Sequence, residues 1–103
     1  MSLGLKDVTA CLGYQRITSL SAATNLTLPQ TQPGGIGTLM KPTLAVIIAE
    51  TQAVRWRDDG TAPTSSVGMP LAVDTPFVYD GDLTNIKFIE QTASAVLHIS
   101  YYC

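Results

Sequence analysis

A chain of 103 residues has room for one domain built on one core. Its residues are 46% apolar and only 14% charged, the latter about half the usual share, so some apolar surface is expected to meet another chain. Six basic against eight acidic side chains give a net charge of −2 with no run of one sign longer than Asp58-Asp59, which leaves no electrostatic footprint for nucleic acid.

From Met1 to Asp7 no basic stretch leads into a long apolar one, so a secretory signal is not expected. The longest apolar run, Leu44 to Ala49, is far short of the roughly 20 residues that cross a bilayer, so no membrane partner is expected. The protein is expected to be made and used in solution. Residues 1–13 read as an extended N-terminal arm and 14–103 as a single domain. Cys11 and Cys103 match no metal-ligand spacing and are expected to be reduced thiols.

From Tyr14 onward the hydrophobic period is mostly two and turn residues recur at strand spacing, which predicts an all-β fold. Tyr14 to Thr18 and Asn25 to Leu28 are the first candidate strands. Two prolines and three glycines between Pro29 and Gly37 stop ladder and helix alike, so an exposed loop is expected there. The continuous apolar run from Thr43 to Glu50 suits a strand covered on both faces, with a short helix from Thr43 to Ala53 as the competing reading.

Ala53 to Asp58 alternates, with Val54 and Trp56 on one face and Arg55 and Arg57 on the other. Asp58-Asp59-Gly60 turns the chain, and the Thr, Ser, Pro and Gly residues that follow predict an extended loop as far as Pro70. Phe77 to Tyr79 resumes a strand before Asp80-Gly81-Asp82 turns it. Asn85 to Gln91 places Ile86 and Phe88 opposite Lys87 and Ile89, and Thr92-Ala93-Ser94 is a candidate hairpin connection to the last strand. In that strand, Ala95 to Tyr102, Leu97, Ile99 and Tyr101 face one way and Val96, His98, Ser100 and Tyr102 the other. Six to eight short strands predict a small β-sandwich or jelly-roll-like barrel.

No catalytic constellation is legible. His98 has no second histidine and no cysteine at ligand spacing, so it reads as a solvent-side or interface residue rather than a general base or zinc ligand. No Gly-x-Ser-x-Gly elbow is present. Asp58, Asp59, Asp80 and Asp82 lie beside glycines, where aspartate is favoured as a turn residue, and lack the ligand spacing of a calcium loop. Neither a metal nor a cofactor is expected. Among the aromatics, Trp56 reads as core, while Tyr79, Tyr101 and Tyr102 are candidates for an exposed interface anchor or a sugar-stacking platform. Arg55 and Arg57 are candidates to pair with a partner, or with Asp58 and Asp59 locally.

The stretch from Val54 to Thr64 (VRWRDDGTAPT), followed by Ser66 to Leu71 (SVGMPL), resembles a motif of small virion proteins of tailed phages. So do Tyr79 to Leu83, Ile86 to Glu90 and Leu97 to Tyr102, and with Tyr14 to Leu28 the similarity spans most of the chain. The resemblance implies a β-sandwich or jelly-roll subunit attached to a particle as a head decoration or cement protein. It implies assembly in the host cytoplasm, with the major capsid protein or other virion subunits as partners and a homo-oligomer as the expected state. Arg55, Arg57, Asp58, Asp59, Tyr101 and Tyr102 are the candidate partner-interface residues. A tail, connector or head-fibre component is the alternative within that class, and a carbohydrate- or receptor-binding module is the alternative outside it. The Pro29 to Lys41 stretch and the N-terminal arm depart from the pattern.

Overall fold

The computed structural model describes residues 11–29 and 41–103 and is all-β, with eight strands in two four-stranded antiparallel sheets. The strands are β1 (Cys11–Ile17), β2 (Thr24–Asn25), β3 (Leu44–Glu50), β4 (Val54–Arg57), β5 (Met69–Leu71), β6 (Phe77–Tyr79), β7 (Lys87–Glu90) and β8 (Val96–Tyr102). One sheet has the order β1-β8-β3-β6 and the other β2-β7-β4-β5. First pairs with last, second with seventh, third with sixth and fourth with fifth. This is one long antiparallel ribbon rolled onto itself, the jelly-roll arrangement of a β-sandwich.

Period-two patterning explains why these residues form these strands. In β8, Leu97, Ile99 and Tyr101 are wholly buried and alternate with half-buried Val96, His98, Ser100 and Tyr102. In β3, Ala45, Ile47 and Ala49 are wholly buried and face the same interior. The opposite sheet returns Val54, Phe88 and Leu71, and Leu20, Leu26, Leu83 and Ile86 close the layer from the connections. Every one of these side chains leaves water, which is the main source of stability for two sheets packed about 10 Å apart.

Several expectations are corrected. The run expected from Thr43 to Glu50 is a strand from Leu44, but only one face is covered: Leu44, Val46 and Ile48 remain half-exposed. Nor does a helix run on to Ala53. Thr51 has φ 76° and the Gln52 amide donates to the Glu50 carbonyl at 2.9 Å, a γ-turn that ends β3 and aims the chain into the other sheet. The loop expected as far as Pro70 ends two residues early, at Gly68, because Met69–Leu71 pairs with Val54 to Trp56. Pro70 is tolerated there because β5 is a sheet edge, where a missing amide leaves no ladder bond unmade.

The Thr92-Ala93-Ser94 connection is not a hairpin. It carries the chain from β7 in one sheet to β8 in the other, with Ser94 at φ 77°. The first strand starts at Cys11, so residues 11–13 belong to the sheet, with a bulge between Cys11 and Gly13. The rest of the expected arm, residues 1–10, and nearly all of the loop expected between Pro29 and Gly37 lie outside the described residues. Cys11 and Cys103 are not in a disulfide.

Candidate functional site

The segment from β4 to β5 builds an open groove of about 490 Å³ lined by Trp56, Arg57, Asp58, Asp59, Val67, Gly68 and Met69. Strand β4 sits between β7 and β5, which holds its side chains at fixed register. Trp56 turns inward and packs on the core, its indole stacked on Phe77 with centroids 5.0 Å apart and planes at 23°. Val67 and Met69 are exposed on the groove's other side, at 53% and 57%.

Local hydrogen bonds position that wall. The Thr64 hydroxyl accepts from the Val67 amide at 3.0 Å and from the Ser66 amide at 3.3 Å, and the Thr64 and Val67 backbones bond reciprocally. Gly68, at φ +144°, then passes close over β4. A Cβ there would lie 3.1 Å from those of Pro63 and Arg55 and 3.2 Å from the Trp56 carbonyl oxygen, so the approach needs glycine.

The four charged candidates have distinct roles. Arg55 is half-buried and its guanidinium ties the loop down, donating from Nη1 to the Gly68 carbonyl at 2.8 Å and from Nε to the Ser65 carbonyl at 3.2 Å. With its amide oxygen turned to the guanidinium, Gln91 accepts from the same side chain at 3.0 and 3.1 Å. Arg57 grips Asp59 through two bonds, Nε to Oδ1 at 3.0 Å and Nη2 to Oδ2 at 2.5 Å. The contact holds the Asp59 carboxyl below its usual range and raises the Arg57 guanidinium. Asp58 accepts from the Tyr79 hydroxyl at 2.6 Å, and its carbonyl accepts from the Asn85 amide at 2.7 Å. Local pairing is therefore made by Arg57 alone, while Arg55 bonds to carbonyls.

The tyrosine candidates separate. Tyr101 is wholly buried and Tyr79 is 8% exposed, so neither presents a ring to a partner. Tyr101 stands in phase with Leu97 and Ile99, and burial among them is what its register requires. Its hydroxyl donates to Gln15 Oε1 at 2.6 Å, an oxygen that also accepts from the Thr27 amide. Tyr102 lies on the outer face of the β1-β8-β3-β6 sheet, half-buried, and accepts from the Ser100 hydroxyl at 3.2 Å.

That outer face carries partners for His98 that its neighbours in sequence do not suggest. Its Nε2 meets Glu50 Oε1 at 2.6 Å, and its Nδ1 is hydrogen-bonded to the Tyr14 hydroxyl, with the two rings stacked at 25°. Glu50 can only accept, so Nε2 carries a proton toward it. His98 lowers the Glu50 carboxyl below its usual range, first through that hydrogen bond and then through charge. The only hints in the sequence are that all three residues fall in predicted strands and that His98 reads as a solvent-side residue.

Tyr14, His98 and Glu50 have the order of a hydroxyl, a base and an orienting carboxylate. They lie on an open sheet face, whereas the groove lies against the other sheet. Among the described residues there is no group of three or more His, Cys, Asp or Glu that could hold a metal, and no helix long and apolar enough to cross a membrane. No family model, curated protein or solved structure matches this chain.

Proposed function

We propose that the chain is a non-enzymatic structural subunit of a tailed-phage virion, a capsid decoration (cement) protein that binds the outer surface of the major capsid protein lattice. One observation carries the reading. The stretch from Val54 to Leu71, on which the resemblance to small virion proteins chiefly rests, is the stretch that forms the groove between Trp56 and Met69.

The groove suits protein docking. Two exposed apolar side chains stand beside a half-buried indole, and the Arg57–Asp59 pair on the rim is held in place before any partner arrives. A subunit of this size buries little area per contact, but a site repeated over a symmetric shell gains by multivalency. Jelly rolls serve viral capsids and also lectins, so the fold is compatible with the role without selecting it.

The test is to purify particles, count copies of the chain per particle, and measure heat resistance before and after stripping it. Copies matching the lattice, and heads weakened by stripping, support decoration. A copy number matching a single ring or vertex set would replace it with a tail, connector or head-fibre role. Full-length Met69→Asp and Val67→Asp chains, with unchanged melting temperature, are expected to fail to rebind stripped heads. Binding of the free chain to a glycan array, lost in Trp56→Ala, would overturn the reading in favour of a carbohydrate-binding module.

A further inference from the structure

We infer that the outer face of the β1-β8-β3-β6 sheet is a self-association surface, joining two copies of this chain face to face about a two-fold axis parallel to β8. This surface is separate from the groove. The register puts its side chains in rows across the strands: Cys11, Tyr102 and Leu44; Tyr14, Ser100, Val46 and Val78; Arg16, His98 and Ile48; and finally Val96 and Glu50. Tyr14 is 62% exposed and Val78 59%, while Leu44, Val46, Ile48, Val96 and Tyr102 are half-buried. The face thus holds contiguous apolar side chains on the two central strands, β8 and β3, flanked by the edge strands β1 and β6.

The arrangement of charge fits a second copy as the occupant, Arg16 acting on the Glu50 of its own chain through charge alone. Arg16 lies on β1, on one flank of β8, and Glu50 on β3, on the other. Rotation about an axis along β8 lays β1 of each copy over β3 of its partner. Each Tyr14 ring then covers a Val46, and each Arg16 comes within side-chain reach of a Glu50 across the contact. A two-fold contact must be self-complementary in this way, with the first residue meeting the second and the second meeting the first. An axis across the strands would instead lay β1 on β1 and β3 on β3, which keeps Arg16 and Glu50 on separate strands, so charge also fixes the orientation.

Size sets the strength. The three seven-residue strands that overlap in this contact, β1, β8 and β3, are about 24 Å long and together span about 14 Å, a footprint of roughly 340 Å² before side-chain relief. That lies below the roughly 800 Å² per partner of a stable interface, so the dimer is weak and depends on concentration.

The experiment uses the full chain alone, without particles, so it can fail while the virion reading stands and the reverse. Sedimentation equilibrium is expected to show a monomer–dimer equilibrium, and Val46→Arg, on the outer face and away from the core, is expected to leave only monomer with an unchanged near-ultraviolet spectrum. Arg16→Glu and Glu50→Arg are each expected to abolish dimers. Mixing those two variants is expected to restore a heterodimer, because both cross-contacts become attractive; an Arg16–Glu50 interaction confined within one chain would not be rescued. A monomer at every concentration, a dimer indifferent to these changes, or a dimer lost on Met69→Asp would overturn the proposal.

Discussion

The Tyr79 hydroxyl donates to the Asp58 carboxylate at 2.6 Å and so ties an edge strand of one sheet to the end of a central strand of the other. The ring also packs against Trp56 and Phe77, and Gly81 leaves it room: a Cβ there would sit 2.5 Å from the hydroxyl oxygen. Burial first, and the hydrogen bond to Asp58 second, push the Tyr79 hydroxyl up to about 12.

An alkaline limit to stability follows from that shift. A tyrosine whose folded value is raised contributes fully below its ordinary value of 10.0, and the contribution is lost as pH rises from there through about 12. The melting temperature is expected to fall over that window, and the fall is expected to shrink in Tyr79→Phe. That variant should cost about 1–2 kcal/mol at neutral pH, as for a lost hydrogen bond to a charged acceptor. A tyrosinate absorbance titration with every ring ionising near 10 would contradict the arrangement.

Removing the Tyr101 hydroxyl and removing its ring should differ sharply. Tyr101→Phe loses one bond to Gln15, while Gln15 keeps the Thr27 amide, so about 1 kcal/mol is expected. Tyr101→Ala empties the middle of the core and should cost about 3–5 kcal/mol, enough to unfold a marginal domain. Urea denaturation of both variants checks the pair, and equal, small losses would mean that the ring is not in the core.

Acid should destabilise the protein through three carboxylates. Glu50 is lowered by His98, Asp59 by Arg57, and Asp82 by the Thr84 hydroxyl and amide. Groups lowered in the folded state stabilise it above their ordinary values of 4.5 for Glu50 and 3.8 for the aspartates, and lose that contribution as pH falls through the folded values. Melting temperature measured against pH is expected to drop below that range, and His98→Gln and Asp82→Asn are each expected to flatten the drop. A flat acid limb in the unaltered protein would refute the assignment.

Gly68→Ala should destabilise by about 1–3 kcal/mol, since both the positive φ and the close approach to β4 resist a Cβ. The backbone oxygen of Trp56 cannot yield as a flexible side chain would. Trp56 fluorescence is expected to shift with the loss, because the loop that walls the groove has to lift. Gly60→Ala, where no atom lies within 4 Å, reports the backbone cost alone at φ +90°.

Strand faces were legible from alternation. The inward set of β8, the split of Val54 and Trp56 from Arg55 and Arg57, and the pairing of Ile86 with Phe88 were all readable, because period two is a local property of a pleated chain. Tyr101 was legible too: its phase with Leu97 and Ile99 placed it inside, and treating it as an exposed ring ran against that pattern. The groove was only half legible. The residues of its rim stood out by type, but the return of Met69 to Trp56 depends on a β4–β5 pairing that loop-like composition concealed.

The face bearing His98 was not legible at all as a site. Glu50 and Tyr14 lie 48 and 84 residues from it and meet it only because β1 and β3 both pair with β8. Alternating hydrophobicity and turn residues by themselves determined that this is a small all-β domain and which side of β4, β7 and β8 faces inward, since both act within a few residues. Strand partners were decided by the tertiary structure alone. Pairings of first with last and second with seventh depend on how the rolled ribbon buries both sheets at once, which no local stretch of the chain encodes.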